Sequence, residues 1–397
     1  MTTTLQDFRE AEELDSRSGW TLERLQDRWS RVDHWSFVAA LILIGVGFVL
    51  SMSAGPTLAA RHGVDPFYYV TRQAIYAVPA LAAIVFCSVL SLRDARRVGV
   101  MIFLAAILML ILLPFMGIER GGAVRWFSLA GVSVQPSEFL KPGLIVACGW
   151  MMTVRPEPGA PPGMPAAVGL LVLSCGLLAS QPDWGQTALS LSAWSAMFFL
   201  TGASVIWAAS GAMAVAVVAL SAYASSSHFR GRIDRFLHSD GELSFQMEMT
   251  LAAIRQGGVW GMGPGEGVRK LALPDAHSDF IIAVAAEEYG LMLTLAIILL
   301  FAFITLKSLA RAAASKDPFV RVTGGGLACL IGFQAAIHVG VAVHLLPTKG
   351  MTLPFVSYGG SSMLASGLTM GLLLALTRKP DPEPEPLRDP WDEGLER

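Results

Sequence analysis

The sequence has little charge for its length. Only 15% of its 397 residues are Asp, Glu, Lys or Arg, and 53% are hydrophobic, whereas a soluble domain is about 25% charged. The mean hydropathy is +0.54, which is typical of a protein embedded in a membrane. The net charge of −2 provides no excess of positive charge for nucleic acid, so we expect no nucleic-acid partner.

Cysteine is also scarce. Cys87, Cys148, Cys175 and Cys329 all lie in apolar stretches, and the sequence has no CxxC pair and no metal-ligand spacing. We interpret the four as small buried hydrophobic residues, which do not indicate a redox compartment. No dedicated metal cluster is expected.

No apolar stretch closely follows the first methionine. Residues 1–35 are polar, which argues against a cleavable signal peptide and predicts a cytoplasmic extension. A short surface helix is expected from Thr21 to Arg31. Residues 379–397 are acidic and rich in proline, and we expect them to form a disordered cytoplasmic tail.

Between these extensions, residues 36–378 are predicted to form an all-α polytopic membrane domain with about ten transmembrane helices. A spanning helix needs about 20 mainly apolar residues. Such stretches are found at residues 37–54, 72–91, 98–117, 137–154, 165–180, 186–203, 205–223, 280–308, 321–345 and 357–377. Residues 224–279 then form a large extracytoplasmic loop between helices 7 and 8.

Lys and Arg residues orient this bundle. With ten spans, the basic clusters before the first helix, between helices 2 and 3, between helices 8 and 9 and after helix 10 share one side, which is predicted to be cytoplasmic. The outer loop departs from this pattern. Its basic residues are either tolerated in a long loop or bind an anion such as a lipid-linked phosphate. They are Arg230, Arg232, Arg235, Arg255, Arg269 and Lys270.

The first polar stretch at a membrane edge is "RGGAVRWFSLAGVSVQPSEFLKPG", residues 120–143. Pro136 is expected to open a helix. Glu138 and Lys141 follow at a spacing of three, so they share a helix face. Charges inside a membrane usually mark function, and the alternative is a self-neutralising structural pair.

Two further stretches interrupt apolar sequence. In "QPDWGQT", Asp183 either caps the next helix or contacts substrate. In "LLPTKGMTLPFVSYGGSSM", Lys349 and a serine cluster sit between prolines and glycines. Irregular backbone at membrane depth survives only against protein or a watery cavity. We therefore expect a cavity under Ser357, Ser361 and Ser362.

The fourth stretch, "RQGGVWGMGPGEGVRKLALPDAHSDF", ends the outer loop. Its glycines allow close backbone approach, and no strand precedes them, which argues against a dinucleotide site. Asp279 is the last polar residue before helix 8, where partial desolvation would raise its pKa and suit it to act as a base. Glu287 and Glu288 lie deeper and are expected to pair with internal polar or basic groups.

At these four stretches the sequence resembles the SEDS proteins (shape, elongation, division, sporulation), which are bacterial peptidoglycan glycosyltransferases. The motif residues are "RWF...QPSEFLK", "QPDWGQ", "GGVWGMGPGEGVRKLALPDAHSDFIIAVAAEEYG" and "LPTKGMTLPFVSYGGSS", and the resemblance covers roughly residues 36–378. The polar N-terminal extension and the wording "LLPTKGMTLPF" are more similar to the division branch than to the elongation branch.

The resemblance implies polymerisation of lipid II on the outer face of the cytoplasmic membrane. It carries the family's catalytic aspartate onto Asp279 and its functional Arg, Glu and Lys onto Arg125, Glu138 and Lys141. Two positions depart from the family pattern. His338 stands where relatives often have Asn, and Pro264 stands where Leu is more usual; we assign His338 no role.

In the implied reaction a base removes a proton from the acceptor hydroxyl, and cations offset the leaving diphosphate. Asp279 is the expected base, and inversion needs no covalent intermediate. A divalent cation, Mg or Mn, is compatible with this chemistry. The expected substrate-binding residues are Arg125, Glu138, Lys141, Asp183, Arg269, Lys270, His277, Lys349, Ser357 and Ser361.

The resemblance also implies partners. These are lipid II and undecaprenyl-diphosphate-linked glycan, a class B penicillin-binding transpeptidase similar to FtsI, other membrane proteins of the division machinery, and membrane lipids. The expected location is the cytoplasmic (inner) membrane at the division septum, with both termini in the cytoplasm.

Two rival functions fit parts of the sequence. A lipid II flippase would also combine ten helices with intramembrane charges, but it needs polar residues reachable from both faces, whereas the charged motifs here cluster at the outer edge. A non-catalytic scaffold for the transpeptidase would not need Asp279 together with basic groups at one place.

Overall fold

The computed structural model is built mainly from helices. The structure describes residues 21–120, 123–129, 132–154, 163–203, 242–273, 275–346 and 350–379, with isolated positions between 206 and 234. The α-helices in the continuous ranges are α1 (Leu22–Arg31), α2 (His34–His62), α3 (Tyr68–Ser88), α4 (Leu92–Met116), α5 (Pro136–Thr153), α6 (Gly163–Ser180), α7 (Trp184–Leu200), α8 (Glu242–Gly257), α9 (Ile281–Ala313), α10 (Gly325–Ala342) and α11 (Gly360–Leu376).

The helices confirm the predicted class, a polytopic helical membrane protein. Within the described ranges, six stretches are long and apolar enough to span a membrane: His34–Pro56, Tyr68–Ser88, Leu92–Met116, Gly163–Ser180, Ile281–Ala313 and Val320–Ala342. Nine of the ten predicted spans coincide with a helix. The other one, residues 205–223, lies almost entirely outside the described residues, so the count of ten stays a prediction.

A small antiparallel sheet that the sequence analysis did not predict lies between α4 and α5. Its strands are β1 (Ile118–Arg120), β2 (Ala123–Leu129) and β3 (Val132–Val134), in that order. Val, Trp and Phe residues are common in these strands, and such residues suit a pleated, half-buried surface. Strand β2 packs on α4 and carries Arg125.

Helix α5 begins at Pro136, as predicted, and runs through the interior of the bundle, where it contacts α4, α6, α7 and α11. Most of its side chains are buried, including both charged residues in its first turns, Glu138 and Lys141. Since neighbouring helices surround α5 on several sides, these charges face protein and not lipid.

The basic segments predicted to be cytoplasmic meet at one end of the bundle. Lys307 Nζ lies 2.8 Å from a carboxylate oxygen of the buried Asp33, and Arg311 Nη2 lies 3.5 Å from the same oxygen. Burial favours the neutral acid, but hydrogen bonds from Lys307 and Ser36 prevail and lower the pKa of Asp33. Arg378 donates to the carbonyl of Leu90 at 2.9 Å, which ties the end of α11 to the same face.

Helix α9 is broken at Gly290, whose φ is 73° and ψ is −171°. At this break the segment that follows α8, residues 258–263, takes over the backbone hydrogen bonds of α9. The amides of Met262 and Gly263 donate to the carbonyls of Glu287 and Glu288, at 2.9 and 3.0 Å. On the far side of the break, the amide of Leu291 donates to the Gly258 carbonyl at 2.9 Å.

The break divides α9 into two parts. We call residues 281–289 the outer half-helix and residues 291–313 the spanning part. Because the backbone bonds at the break go to residues 258–263, the outer half-helix is fastened to the connection between α8 and α9. The spanning part continues to the basic cluster around Arg311.

The close approach of α8 to the outer half-helix depends on Gly257. A Cβ atom there would overlap the carbonyl oxygen of Ala286 and lie 2.9 Å from the Cα of Glu287. Backbone atoms cannot rotate away as a flexible side chain can, so a side chain at this position would push α8 and α9 apart.

We predict that Gly257→Ala lowers the melting temperature in detergent, with a loss of about 1–3 kcal/mol that is typical of overpacking. Gly176→Ala in α6 is the matched control, because a Cβ there would have no neighbour within 4 Å. Equal melting of the two variants would contradict the close packing described here.

Candidate active site

Asp279 lies in the turn that leads into α9. The amides of Ser278 and Asp279 both donate to the carbonyl of Asp275 at 3.0 Å, and Asp275 itself is exposed with a positive φ of 55°. Asp279 is half-buried, whereas Phe280 and the residues that follow it are buried. The carboxyl group therefore sits where the outer turn meets the interior of the bundle.

The surroundings of Asp279 favour its neutral form. Burial, with a smaller contribution from the negative charge of Asp275, raises the pKa of Asp279 from 3.8 to about 7, although a hydrogen bond with Ser278 opposes the shift. A carboxyl group in this range holds and releases a proton near neutral pH, which is the property a general acid or base needs.

The loop before α11 holds the turn of Asp279 in place. Ser357 Oγ donates to the Ser278 carbonyl at 2.6 Å and accepts from the Leu353 amide at 2.9 Å. The amide of Tyr358 donates to the carbonyl of His277 at 3.0 Å. Ser357 is buried and thus acts on Asp279 through the backbone of the turn.

Gly350 in the same loop lies against the carboxyl group. A Cβ built on Gly350 would stand 3.4 Å from Asp279 Oδ2, so the hydrogen atoms of this glycine face the carboxylate. Lys349, the preceding residue and one of the expected ligand-binding residues, lies outside the described residues. Ser361 is buried at the start of α11.

A second polar cluster lies inside the bundle around α5. Lys141 Nζ donates to Glu138 Oε2 at 2.8 Å and to Gln334 Oε1 at 3.3 Å, and Gln186 Nε2 donates to Glu138 Oε1 at 2.6 Å. All four side chains are buried. The predicted common face of Glu138 and Lys141 is confirmed, and glutamines of two other helices complete the cluster.

Arg125 and Asp183 lie beside this cluster. Arg125 donates to the carbonyls of Gln181 and Pro182 at 2.9 and 2.8 Å. Asp183 caps α7 by accepting from the Gln186 amide at 3.4 Å, so the predicted cap is confirmed. Burial raises the pKa of Asp183, and the nearby charge of Arg125 opposes this.

Hydrogen bonds link the second cluster to the loop beside Asp279. Gln334, which accepts from Lys141, donates from Nε2 to the carbonyl of Thr352 at 2.9 Å. His338, one turn further along α10, contacts the carbonyl of Met351 through Nδ1 at 3.0 Å. The loop is therefore held from α10 at residues 351–352 and bonded to the Asp279 turn at residues 357–358.

Arg269 and Lys270 are the two basic residues of the outer loop that were predicted to bind substrate, and their surroundings differ. Arg269 is exposed and donates from Nε to Gln256 Oε1 at 3.2 Å. Lys270 is buried, with its ammonium group in contact with Glu288 and 3.0 Å from the carbonyl of Ser53. The sequence analysis predicted that Lys270 faces a ligand. The structure instead places its ammonium group inside the protein, against Glu288 and the Ser53 carbonyl.

Glu287 and Glu288 have the internal partners that the sequence analysis predicted. Glu287 accepts from the backbone amides of Arg269 and Lys270 at 2.6 and 2.9 Å. Glu288 pairs with the Lys270 ammonium and accepts from the Gly265 amide at 3.1 Å. Both carboxylates fasten the outer half-helix to residues 265–270.

His277 belongs to an aromatic group beside the turn. Its ring centroid lies 5.2 Å from that of Tyr69 and 5.3 Å from that of Tyr358. Burial lowers the pKa of His277 to about 4, although the charge of Asp275 opposes this shift. The imidazole is therefore neutral at pH 7 and available for hydrogen bonding or ring stacking.

Sequence reasoning missed several residues of the site. Gln334 stands in an apolar stretch without a charge to draw attention, and Thr352 and Tyr358 lie in the stretch whose lysine and serines were singled out instead. Arg72 was also missed. Its guanidinium lies 4.8 Å from the centre of the Tyr68 ring and is close to Tyr358. A basic residue within the first turns of a predicted span was the available signal.

In the described ranges, no group of three or more His, Cys, Asp or Glu side chains could hold a metal ion. All four cysteines are free thiols.

We predict that Lys141→Met lowers the melting temperature strongly, because it leaves Glu138 charged and buried; breaking such a pair costs about 3–5 kcal/mol. Adding Glu138→Gln should restore most of the loss. Arg97→Met is the matched control, since Arg97 and Asp94 form an exposed pair at the same spacing and such pairs contribute about 0–1 kcal/mol. If Lys141→Met had the same melting temperature as Arg97→Met, the stabilising role of the buried pair would be disproved.

Residues 34–381 match the profile of the FtsW, RodA and SpoVE family, described as "Cell cycle protein". A "Probable peptidoglycan glycosyltransferase FtsW" of Caulobacter vibrioides (strain NA1000 / CB15N) is 43% identical over 353 residues, which cover 88% of this chain and 90% of that relative.

Two solved structures are similar to this fold. One is described as "Structural coordination of polymerization and crosslinking by a peptidoglycan synthase complex", with a TM-score of 0.73, 27% identity and coverage of 87% of this chain and 97% of that chain. The other is the Rod shape determining protein RodA of Thermus thermophilus, with a TM-score of 0.65, 25% identity and coverage of 88% and 98%. The chain therefore belongs to the FtsW, RodA and SpoVE family, the SEDS family that its motifs resemble.

Proposed function

We propose that this protein is a peptidoglycan glycosyltransferase that polymerises lipid II into glycan strands for the septal cell wall. Its relatives at 43% and 32% identity carry the name peptidoglycan glycosyltransferase FtsW. The observation that carries the proposal is Asp279, a half-buried carboxyl group with a pKa of about 7 at the start of a membrane helix.

Asp279 acts as the general base of the transfer. The carboxylate takes the proton of the acceptor's 4-hydroxyl group while that oxygen attacks the anomeric carbon of the donor sugar. The bond from this carbon to the lipid diphosphate breaks, and the diphosphate leaves with the electron pair. A base with a pKa near the working pH is effective because it is largely deprotonated yet still accepts a proton readily.

Cations near the site offset the charge of the leaving diphosphate. Arg125 uses Nε and one Nη on two backbone carbonyls, which fixes its guanidinium and leaves further N–H groups for phosphate oxygens. Arg269 is exposed, and Lys349 adjoins the glycine that faces Asp279. We include these three as diphosphate ligands.

The other polar residues act indirectly. Lys141, Glu138 and Asp183 are held in buried hydrogen bonds, so we assign them to the support and local charge of the site. Ser357 and Ser361 shape the loop that borders it. Lys270 neutralises Glu288, and we leave it out of the ligand-binding set. His277 offers a neutral ring to the substrate.

A divalent cation fits this site only when the substrate supplies most of its ligands. Mg²⁺ is commonly held by one or two carboxylates together with substrate phosphates, and Asp279 and Asp275 are the two acids close enough to interact. Of the two, Asp279 would hold the ion, which would add positive charge beside the diphosphate.

A partner and a location follow from the same proposal. The similar solved structure is described as a complex that coordinates polymerisation with crosslinking. We propose a class B penicillin-binding transpeptidase as the partner here, with other division proteins, at the septum of the cytoplasmic membrane. The apolar helices and the family establish a membrane protein.

The test of the base is Asp279→Asn, which keeps the size of the side chain but cannot take a proton. We predict a loss of polymer from purified lipid II of about 10²–10⁴-fold, with unchanged melting and lipid II binding. Asp275→Asn is the control in the same turn and should retain most activity. Near-normal polymer from Asp279→Asn would overturn the base assignment, whereas no polymer from the wild-type protein would favour the flippase.

The pH dependence tests the same group independently. Polymerisation by the wild-type protein should rise with pH through a midpoint near 7 and then level off, because only deprotonated Asp279 accepts a proton. In Asp275→Asn the rising limb should move to lower pH, since the charge that helps to raise the pKa of Asp279 is gone. An unchanged limb in this variant would show that another group controls it.

A further inference from the structure

The connection between α8 and α9 exposes large apolar side chains. Trp260 is 78% exposed, and four other residues of the connection are also exposed. We call this set the apolar edge, and its members are Val259, Trp260, Met262, Val268 and Leu271. If these side chains stood in water, the protein would lose the stabilisation of about 25 cal/mol per Å² that burial of apolar surface gives.

The depth of the apolar edge in the membrane can be derived from the length of the spanning part of α9. Arg311 lies in the basic cluster at the cytoplasmic end. From there to the break at Gly290 the helix has roughly 20 residues, which rise about 30 Å at 1.5 Å per residue. That length matches the hydrocarbon core of a bilayer, about 30 Å. Gly290 is therefore at the outer boundary of the hydrocarbon.

The apolar edge is attached to α9 at that boundary. The Met292 amide donates to the Val259 carbonyl at 3.3 Å, next to the bond between Leu291 and Gly258. Leu291, Met292 and Leu295 are themselves exposed on the spanning part of α9, so they face lipid. The apolar edge continues this lipid-facing surface outwards, and tryptophan is enriched at this depth in membrane proteins.

Basic side chains stand beside the apolar edge. Arg255 and Arg269 are exposed and line a groove of about 510 Å³, so its two cations outnumber its one acid; the other lining residues are Glu248, Leu251, Ala252 and Gln256. Arg269 directly follows Val268 of the edge. Guanidinium groups next to inserted apolar side chains match the arrangement of lipid phosphates above acyl chains.

We propose that the apolar edge inserts into the outer leaflet of the bilayer at headgroup depth, with Arg255 against lipid phosphates. The backbone of residues 258–263 is bonded to the outer half-helix that carries Asp279 at its start. Insertion therefore anchors this half-helix to the membrane through a surface outside the candidate active site. The inference does not depend on the proposed activity.

The test replaces Trp260 with the photoreactive residue p-benzoylphenylalanine (Trp260→p-benzoylphenylalanine) in the full chain. The protein is placed in nanodiscs of phosphatidylethanolamine and phosphatidylglycerol, irradiated and examined by intact-mass spectrometry. Glu266→p-benzoylphenylalanine is the matched control, because Glu266 is exposed in the same connection outside the apolar edge. We expect several-fold more phospholipid adducts at position 260 than at position 266.

Equal or absent lipid adducts at position 260 would overturn the proposal. If the Trp260 variant does not fold, Met262→p-benzoylphenylalanine gives the same comparison from a second member of the edge. The same experiment is then repeated with the transpeptidase added, because this partner is the other molecule that could cover the apolar edge. Replacement of the lipid adducts by protein adducts would show that the edge is covered by the partner and would also overturn the proposal.

Discussion

The break in α9 at Gly290 is the constraint on which the site depends. A helix that crosses a membrane satisfies its own backbone, because lipid offers no hydrogen bonds. Here the amides and carbonyls on both sides of the break bond to residues 258–263. The outer half-helix, and Asp279 before it, are therefore positioned by the connection between α8 and α9 and can be set at an angle that an unbroken helix would not permit.

Three acids of this region have different partners, and this difference separates their roles. Glu287 is satisfied by two backbone amides, and Glu288 by the ammonium of Lys270. No cation contributes to the environment of Asp279 within the described residues, and a second carboxylate, Asp275, lies nearby. Burial without a cation makes the charged form costly. The buried pairs hold the helix, and the unpaired acid can exchange a proton.

The loop of residues 350–358 connects this acid to the interior cluster around α5. It is bonded to α10 through Gln334 and His338 and to the turn of Asp279 through Ser357 and Tyr358. Gln334 in turn contacts Lys141. The charged pair of α5 thus stands two hydrogen bonds away from the loop that borders Asp279, in line with the supporting role proposed for Glu138 and Lys141.

Local patterns in the sequence determined the membrane class, the apolar spans, the proline start of α5, the cap by Asp183 and the position of Asp279 at a helix start. These features depend on neighbours within a few turns, which hydropathy and spacing report directly. Only the tertiary structure decided that Lys270 is buried against Glu288, that Gln334 joins α5 to a loop, that a small sheet carries Arg125, and that α9 breaks at Gly290. Each of these depends on contacts between segments far apart in the chain, and such contacts fix which polar groups lose water and which partners replace it.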